Sequence, residues 1–86
     1  MKNHGTEAQR SRLLERLREK PCSTVEARHE LDVFSPAPRV YELRHKEGHN
    51  IQTHWSYEIN PGGKEHRVAK YVLLTGDYKD VKNAGK

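Results

Sequence analysis

Residues 35–48 read SPAPRVYELRHKEG, and residues 51–59 read IQTHWSYEI. The first stretch carries the signals of a helix: Ser35 suits the N-cap, Pro36 suits the first helical position, and Gly48 suits the left-handed position after the helix end. The second stretch alternates apolar or aromatic residues with polar ones, which is the two-residue period of a strand. We therefore predict a helix over residues 36–47 and a strand over residues 51–59.

A helical wheel divides residues 36–47 into two sides. The apolar side consists of Pro36, Val40, Leu43 and the stem of Glu47. The opposite side carries short, aromatic or imidazole side chains, namely Ala37, Pro38, Tyr41 and His45. Arg39 and Arg44 flank the apolar side. We predict that the valine–leucine side is buried and that the tyrosine–histidine side is free.

Two further helices are predicted before residue 35. Thr6 and Gln9 have the spacing of a capping box, which starts a helix at Glu7 that ends near Lys20, before Pro21. Its apolar stripe consists of Leu13, Leu14 and Leu17. Ser23 and Glu26 form a second capping box, followed by a short helix to about Glu30. We expect Val25 and Leu31 to face the core from this second helix, with Ala27 or Arg28 between them.

After the third helix the sequence predicts a β-hairpin. The strand over residues 51–59 is followed by Asn-Pro-Gly-Gly at 60–63, which is a strong turn signal, and residues 66–74 have the composition of a second strand. An isolated hairpin is marginally stable in water, so its apolar face must pack on the helices. Trp55 and Tyr57 share a face with Ile51 and Ile59. We therefore expect Trp55 to pack in the core, although base stacking by an exposed Trp55 is the alternative.

Length and composition indicate one small basic domain. The chain has 86 residues, 33% of them apolar, and a formal net charge of +4. A surplus of Lys and Arg favours polyanions, because bound cations displace counterions from phosphates. We divide the chain into a disordered N-terminus at 1–5, a domain at 6–74 and a flexible basic tail at 75–86. This architecture belongs to the α+β class.

The sequence gives no sign of catalysis, a metal or a cofactor. Cys22 is the only cysteine, which excludes an internal disulfide and a cysteine-based zinc site. The six histidines lack metal-ligand spacing, and there is no glycine-rich phosphate loop or nucleophile–base pattern. We therefore predict no enzyme activity, no metal, no cofactor and no small-molecule substrate. We find no transmembrane segment or signal sequence, so we expect no membrane association and a cytoplasmic, nucleoid-associated location.

The chain resembles a family of small winged helix-turn-helix domains common in phage and prophage genomes. The resemblance spans roughly residues 9–74. Three parts of the chain carry it. The second helix starts with Ser23 and Thr24, and an Arg-Val-x-x-Leu-Arg-x-x-x-Gly-x-x-Ile segment follows with Arg39, Val40, Leu43, Arg44, Gly48 and Ile51. The strands after it match at Thr53, Trp55 and residues 71–73. It implies a winged helix-turn-helix fold, three helices followed by a two-stranded antiparallel hairpin, and binding to double-stranded DNA. Prolines at 36 and 38 depart from the pattern and remove two backbone N–H groups from the helix end where such groups donate to phosphate.

In this fold the third helix enters the major groove and the end of the hairpin approaches the backbone. We call residues 60–67 the wing. The candidate DNA-binding residues are Ser35, Ala37, Pro38, Arg39, Tyr41, Arg44, His45, Lys64, His66 and Arg67. Each has a plainer alternative. Ser35 can be only a cap, the wing residues can be a solvated turn, and the two arginines can pair with glutamates of the first two helices, Glu15, Glu19, Glu26 or Glu30.

The leading functional prediction is a sequence-specific transcriptional regulator. An excisionase-like architectural factor that bends DNA has the same fold, and a protein-docking winged-helix module is a third possibility. A homodimer is compatible with the sequence, because tight specific binding usually needs two half-sites. Residues 7–19 are the candidate dimer element, but their leucines are also needed inside the domain.

Overall fold

The computed structural model describes residues 5–78, which form three helices and three strands. In chain order these are α1 (Thr6–Glu19), β1 (Cys22–Ser23), α2 (Thr24–Glu30), α3 (Pro36–His45), β2 (His49–Ile59) and β3 (Glu65–Asp77). The predicted α+β class and the three helices are confirmed. Residues 1–4 and 79–86 lie outside the described residues, so the predicted disorder of the N-terminus and the predicted flexibility of the tail remain predictions there.

The sheet has three strands, so the predicted two-stranded hairpin is incomplete. The strand order is β1-β3-β2 with antiparallel pairing, and β1 pairs through Cys22 with Tyr71 and through Ser23 with Lys70. Two residues are too short to show a period of two, so the sequence pattern could not reveal β1. Because β1 leads directly into α2, the sheet is fixed against the start of that helix.

Strand β3 continues past the predicted domain boundary at residue 74. Its last residue, Asp77, pairs with His49 after a register shift in β2, and the Asn50 side-chain amide donates to the Thr75 carbonyl at 2.8 Å. The Tyr78 N–H donates to the Gly48 carbonyl at 3.0 Å. The prediction placed residues 75–78 in the tail because hydrophobic alternation ends there. Backbone pairing does not need that alternation, so the folded unit includes residue 78.

The helix starts follow the predicted signals only in part. Ser23 and Glu26 form the reciprocal capping box, with hydrogen bonds of 3.1 and 2.9 Å. Thr6 is the first residue of α1 rather than its cap, and Gly5 takes the cap position. Ser35 occupies the cap of α3 without a capping hydrogen bond from its side chain. Gly48 has the expected left-handed φ of 76°.

The helices and the inner half of the sheet enclose one core. Its fully buried or nearly fully buried members are Leu13, Leu17, Cys22, Ala27, Val33, Val40, Leu43, Ile51, Ala69 and Tyr71. The expectation for α2 was wrong for Val25, which is 47% exposed. Of the two candidates between Val25 and Leu31, Ala27 is the buried one. Leu31 packs partly buried against the core, as expected. The helix is only 7 residues long, which is too short for its apolar pattern to fix its rotation.

Arg12 of α1 holds the turn between α2 and α3. Its Nε donates to the Leu31 carbonyl at 2.7 Å, and its terminal nitrogen donates to the Asp32 carbonyl at 3.1 Å. These carbonyls lie at the end of α2, where the helix leaves carbonyl groups without intrahelical partners. Asp32 itself has a φ of 58°, a left-handed conformation that favours a short polar side chain. A side chain from the first helix therefore stabilises the turn of the helix-turn-helix unit.

Two other arginines of α1 pair with acidic residues of the helices beside it. Arg16 contacts Glu30 at 2.7 Å and Glu26 at 3.6 Å, both on the α2 side. Arg10 contacts Glu42 of α3 at 2.9 Å and Glu47 just after it at 3.2 Å. Much of the positive charge of α1 is therefore used within the domain. The basic surface available to a partner must come mainly from α3, the sheet and the wing.

Candidate nucleic-acid interface

The structure gives α3 one buried and one exposed side, as the helical wheel predicts. The predicted end at residue 47 and the buried stem of Glu47 are wrong, because α3 ends at His45 and Glu47 is exposed beyond it. Pro36, Val40 and Leu43 are buried, whereas Tyr41 is 60% exposed. The exposed side is formed by Ala37, Pro38, Tyr41 and His45. Ser35 is also exposed, just before the helix. The helix is anchored through one face and presents the other to the surroundings.

Aromatic rings cluster at the C-terminal half of this exposed side. The rings of Tyr41 and His45 lie 4.3 Å apart between centroids, and the ring of Tyr78 meets His45 edge-on at 5.4 Å. The Arg44 guanidinium lies 5.0 Å from the centre of the Tyr78 ring. Tyr78 lies in the stretch that the sequence predicts to be a flexible tail, with no predicted role. No local pattern links it to α3, because the contact depends on β3 continuing to residue 77.

Arg39 is largely covered and already paired. Its side chain is 14% exposed, and its guanidinium reaches both oxygens of Glu42 at 2.9 and 3.1 Å. Its acidic partner is therefore one turn along the same helix, and not one of the four glutamates considered from the sequence. Glu42 also binds Arg10, and the hydrogen bond from Arg10, followed by the charge of Arg39, lowers the pKa of the Glu42 carboxyl. The carboxylate thus lies between two guanidinium groups.

Arg44 connects α3 to the sheet. Its Nε donates to the Ile51 carbonyl at 2.7 Å, and its terminal nitrogen donates to the Thr53 hydroxyl at 2.6 Å. These bonds lie on strand β2, so Arg44 bonds to the sheet and not to the glutamates of the first two helices that were the alternative partners considered for it. Arg44 fixes the position of the hairpin relative to α3, while its positive charge stays close to the exposed aromatic cluster.

The wing has a compact turn with exposed cations after it. The Asn60 side chain accepts from the Lys64 N–H at 2.9 Å, and Gly63 takes a left-handed φ of 83° that the turn requires. Lys64, His66 and Arg67 are all exposed. Three of the four residues from 64 to 67 therefore present a cation or an imidazole to the surroundings.

Trp55 lies on the surface, which corrects the expectation that it packs in the core. It is 56% exposed, and the Arg67 guanidinium stacks over its ring at 4.1 Å. Tyr57 and Ile59 on the same face are exposed as well. The alternation of β2 is correct, but on this strand only Ile51 is buried in the core. Strand β3 contributes Ala69 and Tyr71 to the core, and Ala69 lies directly opposite Trp55. The sequence does not show how far a hairpin projects.

Other chemistry is limited within residues 5–78. No group of three or more His, Cys, Asp or Glu side chains is placed to hold a metal ion there. Cys22 is buried, and burial raises the pKa of its thiol, which disfavours the reactive thiolate. None of the helices in this part of the chain is long and apolar enough to cross a membrane.

Comparison with known proteins agrees with this geometry. A winged helix-turn-helix domain family matches the chain over residues 8–76, which is most of its length. No curated protein and no solved structure gives a significant match. The matched region contains β1, β2, α2 and α3 completely, and all of α1 and β3 except the first two residues of α1 and the last residue of β3. Winged helix-turn-helix domains are characteristically DNA-binding modules, and their fold is consistent with double-stranded DNA as the partner. The chain belongs to the winged helix-turn-helix domain family.

Proposed function

We propose that this domain binds double-stranded DNA in a sequence-specific way and acts as a transcriptional regulator. The observation that carries the proposal is the free side of α3, with Tyr41 and His45 exposed while Val40 and Leu43 anchor the helix. An α-helix with its side chains is about 10–12 Å in diameter and the major groove is about 12 Å wide, so the 10-residue helix α3 can lie in it.

The exposed side of α3 offers two kinds of contact. Ser35, Ala37 and Pro38 are small and lie at the N-terminal end, so the backbone there can approach base edges closely. One turn later, the Tyr41 hydroxyl can donate to a phosphate, and His45 can donate to or accept from a base edge. Short residues at the entry and longer polar ones behind them suit a helix that enters the groove with its N-terminus first.

Arg39 can join this surface without leaving an unpaired carboxylate. When Arg39 turns towards DNA, Glu42 keeps the bond from Arg10 at 2.9 Å. An arginine one turn into the recognition helix can then bind guanine through two hydrogen bonds or bind a phosphate. Arg44 has less freedom, since two bonds hold it to β2. We assign it the placement of the hairpin and a longer-range attraction for the DNA backbone.

The wing supplies contacts to the backbone in this proposal. Lys64, His66 and Arg67 are exposed near a turn whose backbone is fixed by Asn60. Phosphate contacts position a protein on the duplex, whereas contacts to base edges select the sequence. We therefore expect substitutions in the wing to weaken binding to all duplexes about equally, and substitutions in α3 to change the preferred sequence.

Selection of bound duplexes from a random pool at two salt concentrations tests the proposal. The selected site is then used in fluorescence anisotropy titrations with the Arg39→Ala/Tyr41→Ala double variant. We expect at least about a tenfold loss of affinity with an unchanged circular dichroism spectrum. Arg18→Ala is the matched control, because it removes the same charge from an exposed position on α1. Equal effects of the two variants would contradict a reading role for α3.

Salt dependence separates DNA binding from protein docking. Six phosphate contacts correspond to a slope of about −5 in a plot of log K against log salt, whereas a protein partner gives a much smaller slope. An enriched sequence with this slope supports the proposal. A pool without enrichment, bound at low salt only, points instead to an architectural role, which bending measurements on the bound duplex would reveal.

A further inference from the structure

Strand β2 forms one edge of the sheet. The strand order β1-β3-β2 leaves one side of β2 without a partner strand among residues 5–78. At its inner end this edge is covered, because Arg44 binds the Ile51 carbonyl and the Thr53 hydroxyl. At its outer end, the turn begins at Asn60. Between these points, no strand or side chain among residues 5–78 bonds to the backbone groups along the free edge of residues 53–59, which we call the open edge.

The hydrogen bonds at the two ends show which backbone groups face the open edge. The Asn60 N–H donates to the Lys64 carbonyl, so Asn60 faces β3, whereas the Ile51 carbonyl faces away from β3 towards Arg44. Pairing with β3 runs without a register shift from Ile51 to Ile59. Orientation alternates along a strand, so the odd-numbered residues of this segment direct their N–H and C=O groups to the open edge.

This edge lacks the features that usually prevent strand pairing. Natural edge strands are commonly protected by lysine, proline, a bulge or a covering loop. Residues 53–59 read THWSYEI, with no lysine, arginine, proline or glycine, and Glu58 is their only formal charge. The register shift of β2 lies at its inner end, outside this segment. Trp55, Tyr57 and Ile59 are exposed on one face of it.

We propose that the open edge of β2 pairs antiparallel with β2 of a second copy of this chain, with the twofold axis at Ser56. Ser56 is the midpoint of the open segment 53–59. In this register the odd-numbered residues pair with each other, Trp55 with Tyr57 and Thr53 with Ile59 of the second copy. All four have their backbone groups directed to that edge, so every pair forms hydrogen bonds in both directions.

The side chains of His54 and Glu58 select the same register. With the axis at Ser56, His54 lies opposite the second copy's Glu58, and the symmetric contact forms once more on the other side. These are pairs without backbone hydrogen bonds between them, in which side chains lie closest to each other. An imidazole opposite a carboxylate is a favourable cross-strand pair. Moving the axis to Trp55 or Tyr57 would lose both contacts.

The resulting assembly is a continuous six-stranded sheet with two α3 helices related by a twofold axis. The proposal places self-association on the hairpin and not on α1, whose leucines Leu13 and Leu17 are buried in the core. Self-association through β2 does not depend on the proposed DNA binding, and it can be measured on the protein without DNA.

Sedimentation equilibrium over micromolar to millimolar concentrations tests the assembly. We expect a species of twice the 10.0 kDa chain mass. His54→Glu places two like-charge pairs in the interface and should weaken dimerisation about tenfold, and Glu58→Lys should weaken it as well. The double variant His54→Glu/Glu58→Lys restores opposite charges across the axis and should recover the dimer. Failure of this rescue, or a monomer at every concentration, would overturn the proposal.

Amide exchange tests the backbone pairing without any substitution. The amides of His54, Ser56 and Glu58 face β3 and are protected in the monomer. Those of Trp55 and Tyr57 become protected only when the second strand binds. We expect protection of the odd-numbered amides to rise with protein concentration while the even-numbered ones stay unchanged. Rapid exchange of the odd-numbered amides in a sample that sediments as a dimer would place the interface elsewhere and refute the pairing.

Discussion

Replacing Leu43 with alanine tests which side of α3 is buried. Leu43 is 1% exposed and belongs to the same core cluster as Val40 and Ile51. The substitution removes the packed side chain beyond Cβ and leaves a cavity, which costs about 2–5 kcal/mol in comparable cores. For a domain of this size, 1 kcal/mol corresponds to about 4–8 °C in Tm, so we expect Tm to fall by at least about 8 °C.

The matched variant is Tyr41→Ala, two residues away on the opposite side. Because Tyr41 is 60% exposed, we expect its loss to change the unfolding free energy by no more than about 0.5 kcal/mol. Thermal and urea unfolding followed by circular dichroism measure both variants, and anisotropy measures the DNA affinity of the folded Tyr41→Ala protein. If Leu43→Ala left the melt unchanged while Tyr41→Ala lowered it, the orientation of α3 described above would be wrong.

Three further predictions concern contacts made by arginine side chains of the domain. Arg12→Ala should lower the free energy of unfolding in urea by about 2 kcal/mol, because two backbone carbonyls lose a charged donor. An unchanged midpoint would show that water replaces the guanidinium without loss of stability. The lowered pKa of Glu42 means that its contribution to stability is complete above the ordinary value of 4.5 and is lost as the pH falls through the lower folded value. The unfolding free energy should therefore fall more steeply on acidification in the parent protein than in Glu42→Gln, and identical pH profiles would refute this. Arg67→Ala should change the fluorescence of Trp55, the only tryptophan, and lower stability by no more than about 1 kcal/mol; an unchanged emission spectrum would argue against the stacking.

Local sequence signals predicted the elements that depend on local interactions. The capping box at Ser23, the buried side of α3 and the alternation of β2 all follow from the side chains of one segment. The hairpin turn follows from residues 60–63 for the same reason. In each case the spacing of residues determines which groups meet, so no knowledge of distant parts of the chain was needed.

The features that the sequence did not predict depend on residues far apart. Strand β1 exists only because β3 offers it an edge, and the end of β3 depends on pairing with residues near His49. The exposure of Trp55 depends on where the helices end beneath the hairpin, which the alternation of one strand does not report.

The candidate site divides in the same way. The free positions of Tyr41 and His45 followed from the wheel, because it concerns a single helix. The partners of Arg39 and Arg44 did not, because several acidic and carbonyl groups lay within reach of each arginine and only the packed arrangement decides among them. No local sequence pattern indicated that Tyr78 would contact the aromatic residues of α3.

The contact of Arg12 with the turn links the first helix to the direction in which α3 projects. A selection for variants with altered DNA specificity would ordinarily randomise only residues of α3 and the wing. Because Arg12 of α1 holds the carbonyls of Leu31 and Asp32, substitutions at position 12 should change the tilt of α3. In the proposed DNA complex, such a change would alter the preferred sequence without replacing a residue of α3 or the wing. Selection experiments on this domain would therefore benefit from including position 12.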